Sequence, residues 1–373
     1  MSEKKSLFMW FTVTSIVIVG VICIAFILYN FFQPSTNHYN KLLASSQSIS
    51  DSSLSSLNDS ILNSIPTVNY QLDTVRSASQ LFKIRKKYGW KDSANQNHKI
   101  FTLLNRKELR FVRVGSSVII PDTIIADPLA YSVFPQFYKG AAELPKIIMV
   151  SNRLMAYACY EKGRLVRFAA CNPGKERTPT YPGRYALNWK ERVHRSSLDS
   201  HWLMPFTWNF HFEAGSAFHQ FAMPGYPASH SCIRQFADDA EWLYSWGKGI
   251  RKDSNGRFIP LSGTPVIIID HYDFSPNKGR EWIRLKSNKD GLLTLPEKPM
   301  EVEEALIPIC QIPHGSRGRL RNREKYETAE EVLRSRGVIR QNVNLIQTVN
   351  FNKVRRQKAA AKAAKEAQKQ VVK

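Results

Sequence analysis

The chain has 373 residues, 43% apolar and 11% aromatic, enough for two or three compact domains with real cores. With 53 Lys and Arg against 31 Asp and Glu, the formal net charge is +22. Such a balance invites a nucleic-acid partner, and the location of the chain decides whether that reading stands.

Residues 1–6, MSEKKS, precede an uncharged apolar run from Leu7 to Phe32. The run is long enough to cross a bilayer as one helix. Lys4 and Lys5 flank its front, and the QPSTNHYN behind it carries no Lys or Arg. The positive-inside rule therefore leaves residues 1–6 in the cytoplasm and everything after Phe32 on the outer face. A cleaved signal peptide would have a shorter apolar region ending in a small-residue cleavage site, which is not found here. Outside the cytoplasm there is no genome to bind, so a nucleic-acid partner is set aside. The basic surface then faces acidic envelope polymers or lipid headgroups, or only keeps the domain soluble. Residues 33–69 read as a polar, Ser-rich linker. A short amphipathic helix through Leu54, Leu57 and Ile61 is the competing reading.

A small α+β module is expected over 70–122. SASQLFKIRKKYGW and HKIFTLLNR carry helical apolar spacing, and VRVGSSVIIPD ends in a β-rich run closed by proline. The order of helix, "LLNR" and "VGSSVIIP" resembles the second half of a LysM carbohydrate-binding module. A generic segment packing on its neighbour is the other reading.

Residues 144–273 hold the densest signals. KIIMVSNRLMAYACYEKGRLVRFAACN predicts two or three strands with a hairpin turn at "EKGR". RYALNW predicts another strand, and GTPVIIIDHYD a buried one. Between them, Trp202 to Phe212 reads as an aromatic-rich loop. FADDAEWLYSWGKG predicts a helix with Asp238 and Asp239 at its start, where the helix dipole favours negative charge, and Gly247 as its stop.

Chemistry concentrates in FHQFAMPGYPASHSCIRQ, Phe218 to Gln235. A thiolate is the reactive form of cysteine, and its pKa drops beside a histidine or a helix N-terminus. Cys232 has His219 and His230 nearby in sequence and a predicted helix a few residues on. A thiol and an imidazole on one stiff loop suit acyl transfer. No metal is expected, since neither CxxC nor HExxH occurs, and no cofactor is implied.

SHSCIR, Ser229 to Arg234, resembles the SHGC(I/V)R signature of the L,D-transpeptidase (YkuD-like) family of cell-wall enzymes. FHQFAMPGYPA resembles the lead-in of its short-spaced branch, TPTYPGRYALN its TPtGxf segment, and GTPVIIIDHYD its closing strand. The resemblance implies a mostly β fold with a sandwich-like catalytic domain. It also implies Cys232 as nucleophile and His219 as general base. Ser229, His230 and Ser231 would shape the site and its oxyanion environment, with Arg234 in the adjoining wall. The implied partner is the peptidoglycan stem peptide. Cysteine attack releases D-alanine and leaves a thioester, which an amine of a second stem resolves into a 3–3 cross-link. Water as acceptor would make a carboxypeptidase. A catalytically weak cell-wall-binding protein that keeps the fold is the third reading.

One position departs from the family pattern: Ser231 stands where the signature has glycine. A Cβ there can displace backbone donors, or serine can simply be tolerated. Cys159 and Cys171 fall on adjacent predicted strands, where a disulfide or two buried free thiols are both open. His194, His201 and His211 line the cleft or sit in core or surface positions. Residues 274–373 read as a separate C-terminal extension. Thr328 and Glu331 predict a capping box, Gly337 a helix stop, and VRRQKAAAKAAKEAQKQVVK a solvated basic helical tail.

Overall fold

The computed structural model describes residues 60–349, apart from Lys91, Ser93 and Ser200. The expected anchor over Leu7–Phe32, most of the linker and the basic tail lie outside the described residues. Among those described, no helix is long and apolar enough to cross a membrane.

The small module is built as strand, helix, helix, strand: β1 (Tyr70–Thr74), α1 (Ala78–Lys87), α2 (Gln96–Asn105) and β2 (Ser117–Pro121). β1 and β2 pair antiparallel, from Tyr70 opposite Pro121 to Thr74 opposite Ser117. Ser77 caps α1 by accepting the Gln80 N–H, and Asn95 caps α2 by accepting the Asn97 N–H. Val75, Ile84, Tyr88, Phe101, Leu109, Val112 and Val118 form its core. Buried Asn105 locks α2 to β2: its side chain accepts the Ile119 N–H at 2.8 Å and donates to Ile119 O at 3.0 Å.

Two sheets follow. β3 (Ile147–Ser151), β4 (Ala156–Glu161), β5 (Arg164–Ala170), β6 (Gly183–Ala186) and, far along the chain, β11 (Pro265–Ile268) make a five-stranded sheet in the order β5-β4-β3-β11-β6. Lys162 and Gly163 turn β4 into β5 with φ of 45° and 77°, the two positive values that a tight two-residue hairpin demands. β7 (Lys190–Arg195), β8 (Leu203–His211), β9 (Ser216–Gln220) and β10 (Ile233–Gln235) make the second sheet, in the order β10-β9-β8-β7. The sheets share one core, bridged by Tyr157 against Phe218 (ring centroids 5.7 Å apart) and Tyr185 against Phe210 (5.1 Å). The Tyr157 hydroxyl, inside that core, donates to Gln235 at 2.5 Å. The helix α3 (Ala237–Trp246) follows β10 with Asp238 and Asp239 in its first turn. Arg167 on β5 grips Asp239 at 2.6 Å and ties the helix to the first sheet.

Three expectations change. The stretch read as a loop from Trp202 to Phe212 is mostly β8, nine residues long and central in its sheet. Pro205, Asn209, a left-handed Phe206 (φ 55°) and a register slip between Asn209 and His211 break the strand pattern in the sequence. The helix near the C-terminus, α4 (Arg323–Ser335), starts earlier than the capping-box reading placed it. Thr328 lies inside it, its hydroxyl donating back to Glu324 O at 3.1 Å. The region after Asp273 is also not a detached extension. Ala305, Leu306, Ile307, Ile312, Ala329, Leu333, Ile339 and Val343 are buried in the same core as the two sheets. The chain returns because its apolar side chains have no other core to enter.

Candidate active site

β10 runs parallel to β9, with Ile233 opposite Phe218 and Arg234 opposite His219. Successive strand residues point to opposite faces. Phe218 and Ile233 therefore enter the core, while Ala217, His219, Cys232 and Arg234 turn outward to line one cleft of about 130 Å³. A two-residue alternation on neighbouring strands is what brings the thiol and the imidazole to the same side.

The segment Asn172–Gly174 holds the other side of the Cys232 loop. Asn172 bridges to Arg234 and Gly174 to Ser229, and Pro173 O accepts the N–H groups of Ala228 and Ser229 at 3.0 and 3.2 Å. Gly174 leaves no room for a side chain: a Cβ there would stand 2.1 Å from Thr178 O. Thr180 completes the clamp. Its hydroxyl accepts the Gly174 N–H at 2.8 Å and donates to Ser231 O at 3.0 Å.

His219 is buried, and its Nδ1 lies 2.9 Å from Gln220 O. A carbonyl can only accept, so Nδ1 carries the proton and Nε2 is left as the basic nitrogen. Burial pushes the His219 pKa down to about 4, with the Gln220 hydrogen bond opposing, so the ring is neutral at pH 7. Cys232 corrects an expectation. Its pKa is not depressed but pushed up to about 11 by burial, although the Ala217 N–H and the Arg234 charge favour the thiolate. Its Sγ lies 3.8 Å from Gly215 O. The resting pair is thus a neutral thiol and a neutral imidazole.

The other expected residues divide by what they touch. Buried Ser229 donates its hydroxyl to Cys232 O in a short hydrogen bond, and Ser229 O accepts from Thr178. Ser229 thereby fixes the backbone around Cys232. His230 faces the cleft, but its Nε2 meets the Lys175 ammonium at 2.9 Å. The ammonium has only protons to give, so that nitrogen is occupied. Burial, with Lys175 and Arg234 adding to it, holds the His230 pKa at about 4. Arg234 donates to Ala222 O and Ala228 O at 3.1 Å each and lies over the Phe221 ring, bracing the proline-rich loop.

Ser231 has φ +79°, the left-handed region that glycine enters freely. Its buried hydroxyl pairs with the Ser216 hydroxyl on β9 at 2.7 Å. Serine here keeps the glycine-like backbone, and a partner on the neighbouring strand holds its side chain.

Ser216, Thr178, Thr180 and Asn172 went unnoticed as site residues. The TPT segment was visible, yet its hydroxyl contacts to the motif span about fifty positions of sequence. In the sequence Trp202 only opens an aromatic-rich stretch. It closes the cleft against Phe221 and His230. His194 lines the cleft with Glu191 on its Nδ1 at 2.6 Å; His201 is exposed, and His211 is largely buried beside Tyr185. Cys159 and Cys171 are buried free thiols. Thr348 and Val349 also line the cleft, and the Thr348 hydroxyl donates to Ala214 O at 2.7 Å. Among the described residues no group of His, Cys, Asp and Glu could hold a metal ion.

No curated protein matches the chain. Among solved structures, it is similar to an L,D-transpeptidase from Xylanimonas cellulosilytica DSM 15894, with 24% identity over 54% of this chain and 97% of that one, TM-score 0.32. One from Stackebrandtia nassauensis shares 15% identity over 52% and 77%, TM-score 0.31. One from Mycobacterium smegmatis shares 18% over 34% and 59%, TM-score 0.28, so the chain spans about three fifths of that structure's length. The family model of the L,D-transpeptidase catalytic domain matches residues 145–268, the span that holds both sheets, His219 and Cys232. That match to the YkuD model covers about a third of the chain.

Proposed function

We propose that the protein is a cysteine acyltransferase acting on tetrapeptide stems of peptidoglycan. The observation that carries this is the pairing of Cys232 with a buried histidine whose proton is committed to Gln220 O, on one face of two parallel strands. As Sγ attacks the carbonyl before the terminal D-alanine, its proton passes to His219 Nε2. The C–N bond then breaks, the imidazolium returns that proton to the leaving amine, and a Cys232 thioester remains. An amine of a second stem, deprotonated by His219 as it attacks, expels the sulfur and forms a 3–3 cross-link.

A neutral resting pair suits this sequence, because charge develops only during attack and the thiol stays protonated without substrate. What weighs against a decayed enzyme is Ser231, whose left-handed backbone and Ser216 partner keep the loop in a glycine-like path. The uncharged run at Leu7–Phe32 supports a single-pass anchor with the domain on the outer face, where the polymer lies.

The test is mass spectrometry of the purified protein with tetrapeptide-stem muropeptides, and separately with a carbapenem. The expected results are D-alanine release and one adduct on Cys232. A folded protein inert to both would overturn the reading.

A further inference from the structure

The loop joining β9 to β10 has two sides. Phe221, Ser229 and His230 face the catalytic cleft. Pro224, Gly225 and Tyr226 instead line a second recess of about 360 Å³, closed by Lys107, Phe111 and Arg113 of the small module and by Arg280. The module is fastened to this loop, since the Glu108 N–H donates to Met223 O at 2.9 Å and Lys107 bridges to Pro224. Gly225 takes φ +83°, and a Cβ there would stand 2.6 Å from Lys107 Cε, so glycine is what lets the lysine stem lie against the loop.

Three cations converge on this recess and no carboxylate lines it. The nearest acid in sequence, Glu108, is already held by Arg110 at 2.5 Å and by the Met223 N–H at 2.8 Å. Arg280 Nε is buried without a hydrogen-bond partner. Burial and the neighbouring Arg280 charge push the Lys107 pKa down, as expected of an ammonium that lacks a counter-charge. Tyr226, 56% exposed, offers an aromatic ring at the rim.

We propose that this recess binds a carboxylate carried by the peptidoglycan chain, with Tyr226 and Phe111 presenting flat apolar faces to the adjoining sugar or peptide. The proposal rests on the peptidoglycan reading above. One loop walls both recesses, so a polymer held here lies across the segment that carries the nucleophile. Lys107, Arg113 and Arg280 supply charge, and the polymer supplies the anion that the recess lacks.

Binding of the full chain carrying Cys232→Ala to purified sacculi tests this without turnover. Lys107→Gln with Arg280→Gln should weaken binding about tenfold, and Arg113→Gln or Tyr226→Ala, nearer the surface, by less. Lys83→Gln with Lys86→Gln, the same charge removed from exposed positions on α1, should change it little. Amidating the sacculus carboxyls should abolish the difference between the two double variants, while stripping phosphate polymers should not. Thermal melting confirms folding of each variant. Equal binding by both double variants overturns the site. Sensitivity to phosphate stripping instead of amidation overturns the carboxylate assignment. Failure of the enzyme reading shows separately, as absent acylation of the natural chain by muropeptides.

Discussion

In the five-stranded sheet, β3 is buried along its whole length and β4 along all but its last residue, and the backbone keeps a regular register apart from one slip at Cys159. The four-stranded sheet is shorter in apolar content and rougher. It contains a left-handed Phe206, the slip near His211, and Ser216 and His219 buried among its side chains. Each sheet holds a cysteine whose pKa burial pushes upward, Cys159 in the first and Cys232 beside the second. The contrast teaches that desolvation alone does not tell two buried thiols apart; what each faces does. Cys159 faces closed core, whereas Cys232 faces a cleft shared with the basic nitrogen of a neutral histidine.

The sharpest way to break that contrast is to remove each thiol. Cys232→Ala should lower acylation by roughly three orders of magnitude or more and abolish the carbapenem adduct. Cys159→Ala should keep the adduct and lose about 1–2 kcal/mol of stability through a small cavity. An adduct on Cys159 in the first variant would erase the distinction between the sheets.

The base comes next. Because the folded pKa of His219 is lowered to about 4, its imidazole stays neutral, and basic, down to that pH. Acylation should therefore be flat from about pH 5 to pH 10, and should fall only as the pH drops through about 4. A solvated histidine would lose activity near pH 6.5. His219→Gln should cost about 10²- to 10⁴-fold at pH 7. A rate that halves near pH 6.5 in the natural protein would show that the cleft is wet and the base unprotected.

The smallest effect concerns Ser216 and Ser231. A non-glycine residue in the left-handed region costs about 1–2 kcal/mol, and one buried hydroxyl pair returns about 1 kcal/mol. Ser231→Ala keeps the strain, loses the pair and strands the Ser216 hydroxyl, so stability should drop by about 1–3 kcal/mol. Ser231→Gly relieves strain but also strands Ser216, and should come out near neutral until Ser216→Ala is added. Chemical denaturation of the four-membered cycle should give a coupling of about 0.5–3 kcal/mol. Zero coupling would mean that the hydroxyl contact does nothing to hold the loop.

Local chemistry was legible in the sequence. The two-residue hairpin at Lys162–Gly163 followed from turn chemistry, and β11 from a run of branched residues. Cys232 and His219 stand in one contiguous motif, which is why the sequence alone puts them forward as a pair. What hid were features set by partners distant along the chain. β7 is a charged, exposed strand with no alternation to read, and it exists because β8 pairs with it. The elevated pKa of Cys232 depends on burial, which no neighbouring residue announces. Thr180 and Ser216 look ordinary until Ser231 is brought between them. Val343 and Thr348 were assigned to an extension because nothing local marks a segment that returns to the first core.

Buried Arg106 joins the small module to the two-sheet domain without an acidic partner on its guanidinium. Its Nε donates to Leu154 O at 3.2 Å, while its own carbonyl accepts from Asn172, the residue whose Oδ1 holds the Gly225 N–H at 3.0 Å. Burial lowers its pKa to about 10, a cost the chain bears to keep a cation at this seam. A boundary drawn at residue 145, where the family match begins, therefore cuts through packed contacts. A chain begun there would take the Arg106 guanidinium from Leu154 O and the Arg106 carbonyl from the Asn172 amide, next to the loop that carries Cys232. Unfolding of the module would therefore remove contacts from the residues that hold the Cys232 loop as well.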